Sequence, residues 1–209
     1  MAKYMTFVFD DGPCSPMREI VDKMKEYGYK AGFAIVGRQV NRDTADMLKY
    51  AVDNGFQLVS HGQEHLHVEK LGTREEMIYE MTEPIKAIKR LIGYDITMAR
   101  LPFLSANDEV YDVMRQLSLP LLGQGIDGGR DWSSEALVPD IVKAVLTSAE
   151  DGAVGCLHVR TNTCRALDTV LPELKRQGYI LVTPEELLRI AGITPPLGVQ
   201  IHNVNDFLR

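Results

Sequence analysis

Short apolar runs alternate with amphipathic segments along the whole chain. The runs are Met5–Phe9, Gly32–Val36, Phe56–Ser60, Thr97–Leu101, Leu119–Gly123, Val154–Val159 and Tyr179–Val182. Each is strand-sized, and none shows the spacing of a helix with one apolar face. Between them Pro16–Tyr27, Arg42–Asp53, Arg74–Ile92, Asn107–Gln116, Leu137–Ala149 and Ala166–Arg176 place apolar residues at helical intervals. Thr183-Pro184-Glu185-Glu186 predicts the start of a last helix, with Thr183 as N-cap, Pro184 in the first turn and Glu186 completing a capping box.

Seven strands, each followed by a helix, predict an α/β protein with a parallel sheet and right-handed crossovers. At 209 residues the chain is short for an eight-unit barrel, which takes about 250, so a barrel of fewer units is expected, with an open doubly wound sheet as the alternative. Either fold places its chemistry at the carboxyl ends of the strands. Asp10, Asp11, His61, Arg100, Asp127 and His158 all fall at or just past such ends. Residues 1–209 are expected to form one domain. The tail 193–209, with Pro195, Pro196 and Gly198, reads as an extended surface arm.

Composition narrows the function more than the fold. Hydrophobic residues make up 45% and charged residues 25%, as in ordinary soluble domains. The net charge of −6 is interspersed, and no Lys/Arg block suggests a nucleic-acid surface. No run is long enough to span a membrane. The N-terminus has no leader-like segment, and Cys14, Cys156 and Cys164 fit no zinc-ribbon spacing. A cytoplasmic protein with free thiols is expected, unless a leader has been removed. The sequence leaves the oligomeric state open.

Two places carry chemistry. Phe9-Asp10-Asp11-Gly12-Pro13 ends the first run, and a continuing strand would point the two carboxylates to opposite sides. One could then bind a metal while the other faces a substrate. His61-Gly62-Gln63-Glu64-His65 spaces two imidazoles four apart, on one side of a helical turn. Two histidines and one aspartate make the ligand count of an open catalytic metal site. His67 lies off that face and reads as structural or solvent-facing. Glu64 precedes the second histidine rather than following the first, unlike a zinc-protease glutamate.

These residues resemble the polysaccharide deacetylases of carbohydrate esterase family 4. Phe9-Asp10-Asp11-Gly12 matches the last four positions of that family's Thr-Phe-Asp-Asp-Gly. His61 and His65 match its His-Ser/Thr-x-x-His, with Gly62 in place of the hydroxyl residue. Arg100-Leu101-Pro102-Phe103 matches Arg-x-Pro-Tyr/Phe. Asp131-Trp132 matches the end of Asp-x-x-Asp-Trp, although Asp127 stands one residue too far upstream. Leu157-His158 matches a shortened Leu-x-His. The motifs occur in order over about three quarters of the chain.

The resemblance implies a distorted (β/α)7 barrel and a role for each residue. Asp11, His61 and His65 would hold one divalent ion, zinc in the first instance, with cobalt or nickel compatible with the same ligands. Asp10 would be the general base toward the attacking water, and Arg100 would keep it ionised. The ion and a backbone N–H near Phe103 would stabilise the oxyanion. His158 would protonate the leaving amine or alcohol, oriented by Asp131. Trp132 and Leu157 would wall the pocket for the acetyl methyl.

Departures at Gly62, Gly128-Gly129 and Leu104-Ser105 spare the ligands and bear on substrate choice. The expected activity is metal-dependent removal of acetyl groups from an N-acetyl amino sugar or O-acetyl glycan. The alternatives are hydrolysis of a small cytoplasmic non-sugar amide and, from a different class, a non-catalytic carbohydrate-binding relative. Such a relative should have lost Asp10, Arg100 or His158, and all three are present.

Overall fold

The computed structural model describes residues 2–208. In chain order the strands are β1 Lys3–Gly12, β2 Gly32–Ile35, β3 Gln57–Ser60, β4 Leu121–Leu122, β5 Ile126–Asp127, β6 Val154–His158, β7 Tyr179–Leu181 and β8 Gln200–Ile201. The α-helices are α1 Pro16–Glu26, α2 Ala45–Asp53, α3 Arg74–Ile92, α4 Asp108–Gln116, α5 Val138–Ser148, α6 Thr161–Arg176 and α7 Pro184–Ala191.

Every pair of these strands is parallel, while the isolated bridge from Ala153 to Asn203 is antiparallel. The order is β3-β2-β1-β6-β5, with β7 against the first half of β1, and β4 paired to β8. The run Thr97–Leu101, expected as a strand, keeps that place but narrows to one bridging residue. Ala99 bridges Ser60 on one side and Leu121 on the other. The main chain still links the two strands, through Arg100 N to Ser60 O at 2.8 Å and Leu122 N to Ala99 O at 2.8 Å.

The tail differs from the expected surface arm. β8 lies beside β4, and the ring closes through Val154 N to His202 O at 2.9 Å. Ile201 and Val204 are buried, so this segment is part of the wall. Pro195, Pro196 and Gly198 mask a strand too short to register as an apolar run. The result is a distorted parallel barrel with helices outside.

Two-residue periodicity divides the core. Val8, Ala34, Val59, Met98, Leu122, Val154 and Ile201, from successive wall segments, form one cluster in the barrel interior. Phe7, Phe9, Phe33, Leu58 and Leu157 face outward and pack with Ile20, Met24, Leu167 and Leu171 of α1 and α6. This alternation decides which strand-end side chains reach the site. Helix starts follow local chemistry: Thr73 with Glu76, and Thr183 with Glu186, form complete capping boxes, the second at the expected residues.

β1 continues past the apolar run Met5–Phe9 to Gly12, with a register break after Phe9. That break shapes the site.

Candidate active site

Asp10 continues the inward series Val8–Asp10 on β1. Asp11 has a positive φ of 67°, which breaks the strand alternation, so both carboxylates face one cavity instead of opposite sides. The cavity, of about 560 Å³, opens at the carboxyl end of the barrel and is lined by Asp10, Asp11, His61, His65, Asp131 and His158 among others.

His61 ends its strand run just beyond β3. Its Nδ1 lies 2.9 Å from the Arg100 carbonyl, which can only accept, so Nδ1 carries the proton and Nε2 faces the cavity. His65 is not on a helical turn, as its spacing suggested. It lies in a loop, at φ 61°, and turns its Nε2 to within 3.3 Å of Asp11 Oδ1. His61 Nε2 is 3.8 Å from the same oxygen. Burial and the neighbouring His61 lower the His65 pKa, against the pull of Asp11 and Asp10.

The loop is held from below by a residue that motif reading missed. Glu80 of α3 is buried and accepts from Glu64 N (3.1 Å to each oxygen) and Leu66 N (3.0 Å), the amides flanking His65. Gly62 has φ 76°, and a Cβ there would stand 2.6 Å from Glu80 Oε1. The carboxylate thus fills the space a hydroxyl side chain would need. Glu80 could have been noticed as an acid on the apolar face Met77–Met81–Pro84–Ile88.

Opposite, Arg100 is fully buried. Its NH1 is 2.9 Å from Asp10 Oδ1, and its other contacts are the carbonyls of Val8, Leu122, Gly123 and Gly155. Burial alone would raise the Asp10 pKa. The Arg100 guanidinium, helped by His61 and His158, outweighs it and holds the carboxyl below its ordinary value.

His158 ends β6 as the register partner of Asp10. Its Nδ1 meets Asp131 Oδ1 at 2.8 Å, while Asp131 Oδ2 accepts from His158 N and from the Thr163 hydroxyl, each at 2.7 Å. Burial opposes the imidazolium, but the hydrogen bond to Asp131 and the charges of Asp10, Asp131 and Asp11 raise the pKa overall. Asp127, the irregular motif start, instead accepts from Gly129 N at 2.9 Å.

Leu157, expected to wall the cavity, does not. It faces the outer core, because it is out of phase with His158. Cys156, two residues before His158, takes the inward place, with its Sγ 3.4 Å from Asp10 Oδ2. Burial and Asp10 raise its thiol pKa well above the ordinary value. Trp132, 54% exposed, and Phe103 flank the mouth. His67 stacks on Phe103 with centroids 4.0 Å apart. Arg160, also unforeseen, reaches Asp11 Oδ2 at 2.6 Å and leaves Oδ1 to the histidines.

Asp11, His61 and His65 each offer one ligand atom, all within 4.8 Å of one another. Donors about 2.0–2.1 Å from a tetrahedral ion stand about 3.3 Å apart. One pair already has that spacing, so this donor set fits a divalent cation.

The polysaccharide deacetylase family model matches residues 1–122, more than half of the chain. The chain belongs to the polysaccharide deacetylase family. It is 31% identical over 202 residues to a bifunctional xylanase/deacetylase of Pseudobutyrivibrio xylanivorans, covering 95% of this chain and 33% of that protein. It is 32% identical to the peptidoglycan-N-acetylglucosamine deacetylase PgdA of Listeria monocytogenes, covering 88% of this chain and 39% of the relative. The chain therefore spans only a third to two fifths of these curated relatives.

Two solved structures superpose along nearly the whole polysaccharide deacetylase domain. The Xyl-CE4 domain of a multidomain xylanase from the hindgut metagenome of Trinervitermes trinervoides gives a TM-score of 0.89 at 29% identity, covering 98% of this chain and 99% of that one. The family 4 acetyl xylan esterase of Clostridium thermocellum, in complex with a cobalt ion, gives 0.89 at 25% identity, covering 97% and 99%. No helix among the described residues is long and apolar enough to cross a membrane.

Proposed function

We propose that this domain hydrolyses acetyl groups from a carbohydrate, with a divalent ion held by Asp11, His61 and His65. The observation that carries the reading is the meeting, in one cavity, of that donor set with an ionised Asp10 and a protonatable His158. A divalent ion at such a site lowers the pKa of water toward about 7 and polarises the acyl carbonyl.

The chain's own groups supply the rest. Asp10 Oδ1 is engaged by Arg100, so Oδ2 is the oxygen that takes the proton of the attacking water. His158, its Nδ1 fixed on Asp131, delivers a proton from Nε2 to the leaving nitrogen or oxygen. The Phe103 segment offers its backbone N–H to the oxyanion, and Trp132 gives the acetyl methyl an apolar wall. Cys156 takes the inner-wall position first assigned to Leu157.

Zinc is the proposed ion, on the strength of its preference for imidazole and carboxylate donors. Cobalt and nickel accept the same ligands. The substrate class is an acetylated glycan, supported by the names of the relatives. For the compartment, three unpaired cysteines favour a reducing, cytoplasmic one. The test is acetate release from acetylated xylo-oligosaccharides, N-acetylchitooligosaccharides, peptidoglycan fragments and small acetamides. Release from a glycan supports the proposal, and hydrolysis confined to the small amides contradicts it.

A further inference from the structure

The inward face of β6 sets a thiol where the proposed base and acid meet. Cys156 Sγ lies 3.4 Å from Asp10 Oδ2, its proton directed at that oxygen. One ligand atom each from Asp10, Cys156 and His158 falls within a 4.8 Å span, and this group shares no residue with Asp11, His61 and His65. A sulfur about 2.3 Å and an oxygen about 2.0 Å from a tetrahedral ion stand about 3.5 Å apart. The sulfur and carboxylate oxygen are already at that spacing.

We propose that Asp10, Cys156 and His158 form a second, inhibitory site for a thiophilic divalent cation of the zinc or cadmium type. The ion takes the place of the proton between sulfur and carboxylate. As the metal–sulfur bond forms, the thiol proton leaves to solvent, and no electron changes hands. Asp10 contributes Oδ2, since Oδ1 is held by Arg100. His158 contributes Nε2 in its neutral form, since Nδ1 is held by Asp131. The open side faces the cavity, where water completes the shell.

Thiolate softness favours zinc and cadmium over magnesium or calcium. The fixed charge of Arg100 and the burial of the thiol both weaken the site. It therefore fills after the Asp11–His61–His65 site, when metal is in excess. Filling it occupies the lone pairs of the base and the acid together. The inhibitory part rests on the roles proposed for Asp10 and His158, and the binding part does not.

The experiment is a titration of the chelated full chain with cobalt and with cadmium. It follows the near-ultraviolet thiolate-to-metal charge-transfer absorption and acetate release in parallel. The first equivalent should bring no sulfur band, because Asp11, His61 and His65 carry no sulfur. The second should bring the band, with acetate release falling about 10²-fold or more at saturation, the scale of one lost acid–base group.

Cys156→Ser and Cys156→Ala should each lose the band and the second equivalent. Cys14→Ser and Cys164→Ser should keep both, and His61→Ala should lose the first equivalent but keep the band. Absence of the band in the native chain overturns the site, as does a second equivalent that persists in both Cys156 variants. A band with undiminished turnover overturns the inhibition and leaves the binding. A band in a chain that releases acetate from no substrate upholds the cation site and refutes the deacetylase reading.

Discussion

Arg100 crosses the barrel interior to place NH1 2.9 Å from Asp10 Oδ1, and neither side chain is more than 4% exposed. A charge buried to this degree is tolerable only because every direction of the guanidinium meets an oxygen. Removing it strands the carboxylate and four carbonyls. Arg100→Met should therefore lose about 3–5 kcal/mol of stability at neutral pH, read from urea unfolding. A loss below about 1 kcal/mol would show that the pair is not what holds the site together.

Glu80 should act on metal affinity. Its carboxylate fixes the amides on either side of His65, and Glu80→Gln replaces one acceptor with a donor facing those N–H groups. Metal affinity should fall about 10–100-fold, the usual range for an outer-shell partner. Competition with a chromogenic chelator measures it. Unchanged affinity in a folded variant would remove Glu80 from any role in presenting His65.

Gly62→Ala tests the same contact from the other side. The new methyl would sit 2.6 Å from Glu80 Oε1 on a backbone with φ 76°. A loss of about 1–2 kcal/mol from the backbone alone is expected, with more from the clash. Thermal unfolding of the chelated protein checks it, and a neutral effect would contradict the tight fit.

The overall plan of this site was legible because strand ends and residue spacing both follow from periodicity. The helix over Arg74–Ile92 and the capping box at Thr183 were recovered at the same residues. What was hidden depends on backbone turns or on tertiary partners. Nothing in the sequence marks the positive φ of Asp11 and His65, which bring an aspartate and a histidine together without a helix. Arg160 and Glu80 act through contacts distant in sequence. Leu157 was misplaced by matching residue names. Counting by two from His158 would have pointed to Cys156.

The pH profile carries a sign. His158 is raised by Asp131, while Asp10 is lowered by Arg100. In the proposed mechanism an ionised Asp10 and a protonated His158 coexist between the two shifted pKa values, giving a bell. Asp131→Asn should move the alkaline limb of kcat/KM to lower pH and leave the acid limb in place. The raised His158 pKa also stabilises the fold below about pH 6.5, the unfolded histidine value, and that contribution fades as pH rises through the folded value. Asp131→Asn should reduce this pH dependence in the chelated protein. An unmoved alkaline limb would detach His158 from acid catalysis.

In the proposed function the Asp11–His61–His65 donor set and Asp10 act as a single hydrolytic site. The measurement that bears on it most directly is acetate release from an acetylated oligosaccharide by the native chain and by Asp10→Asn. Both are assayed after chelation and again after return of one equivalent of zinc or cobalt, with bound metal counted. The native chain should fall silent on chelation and recover with the ion. Asp10→Asn should rebind one ion per chain yet remain at least about 10²-fold slower. Acetate release that survives chelation, or an Asp10→Asn variant that turns over like the native chain with its ion in place, would contradict the account.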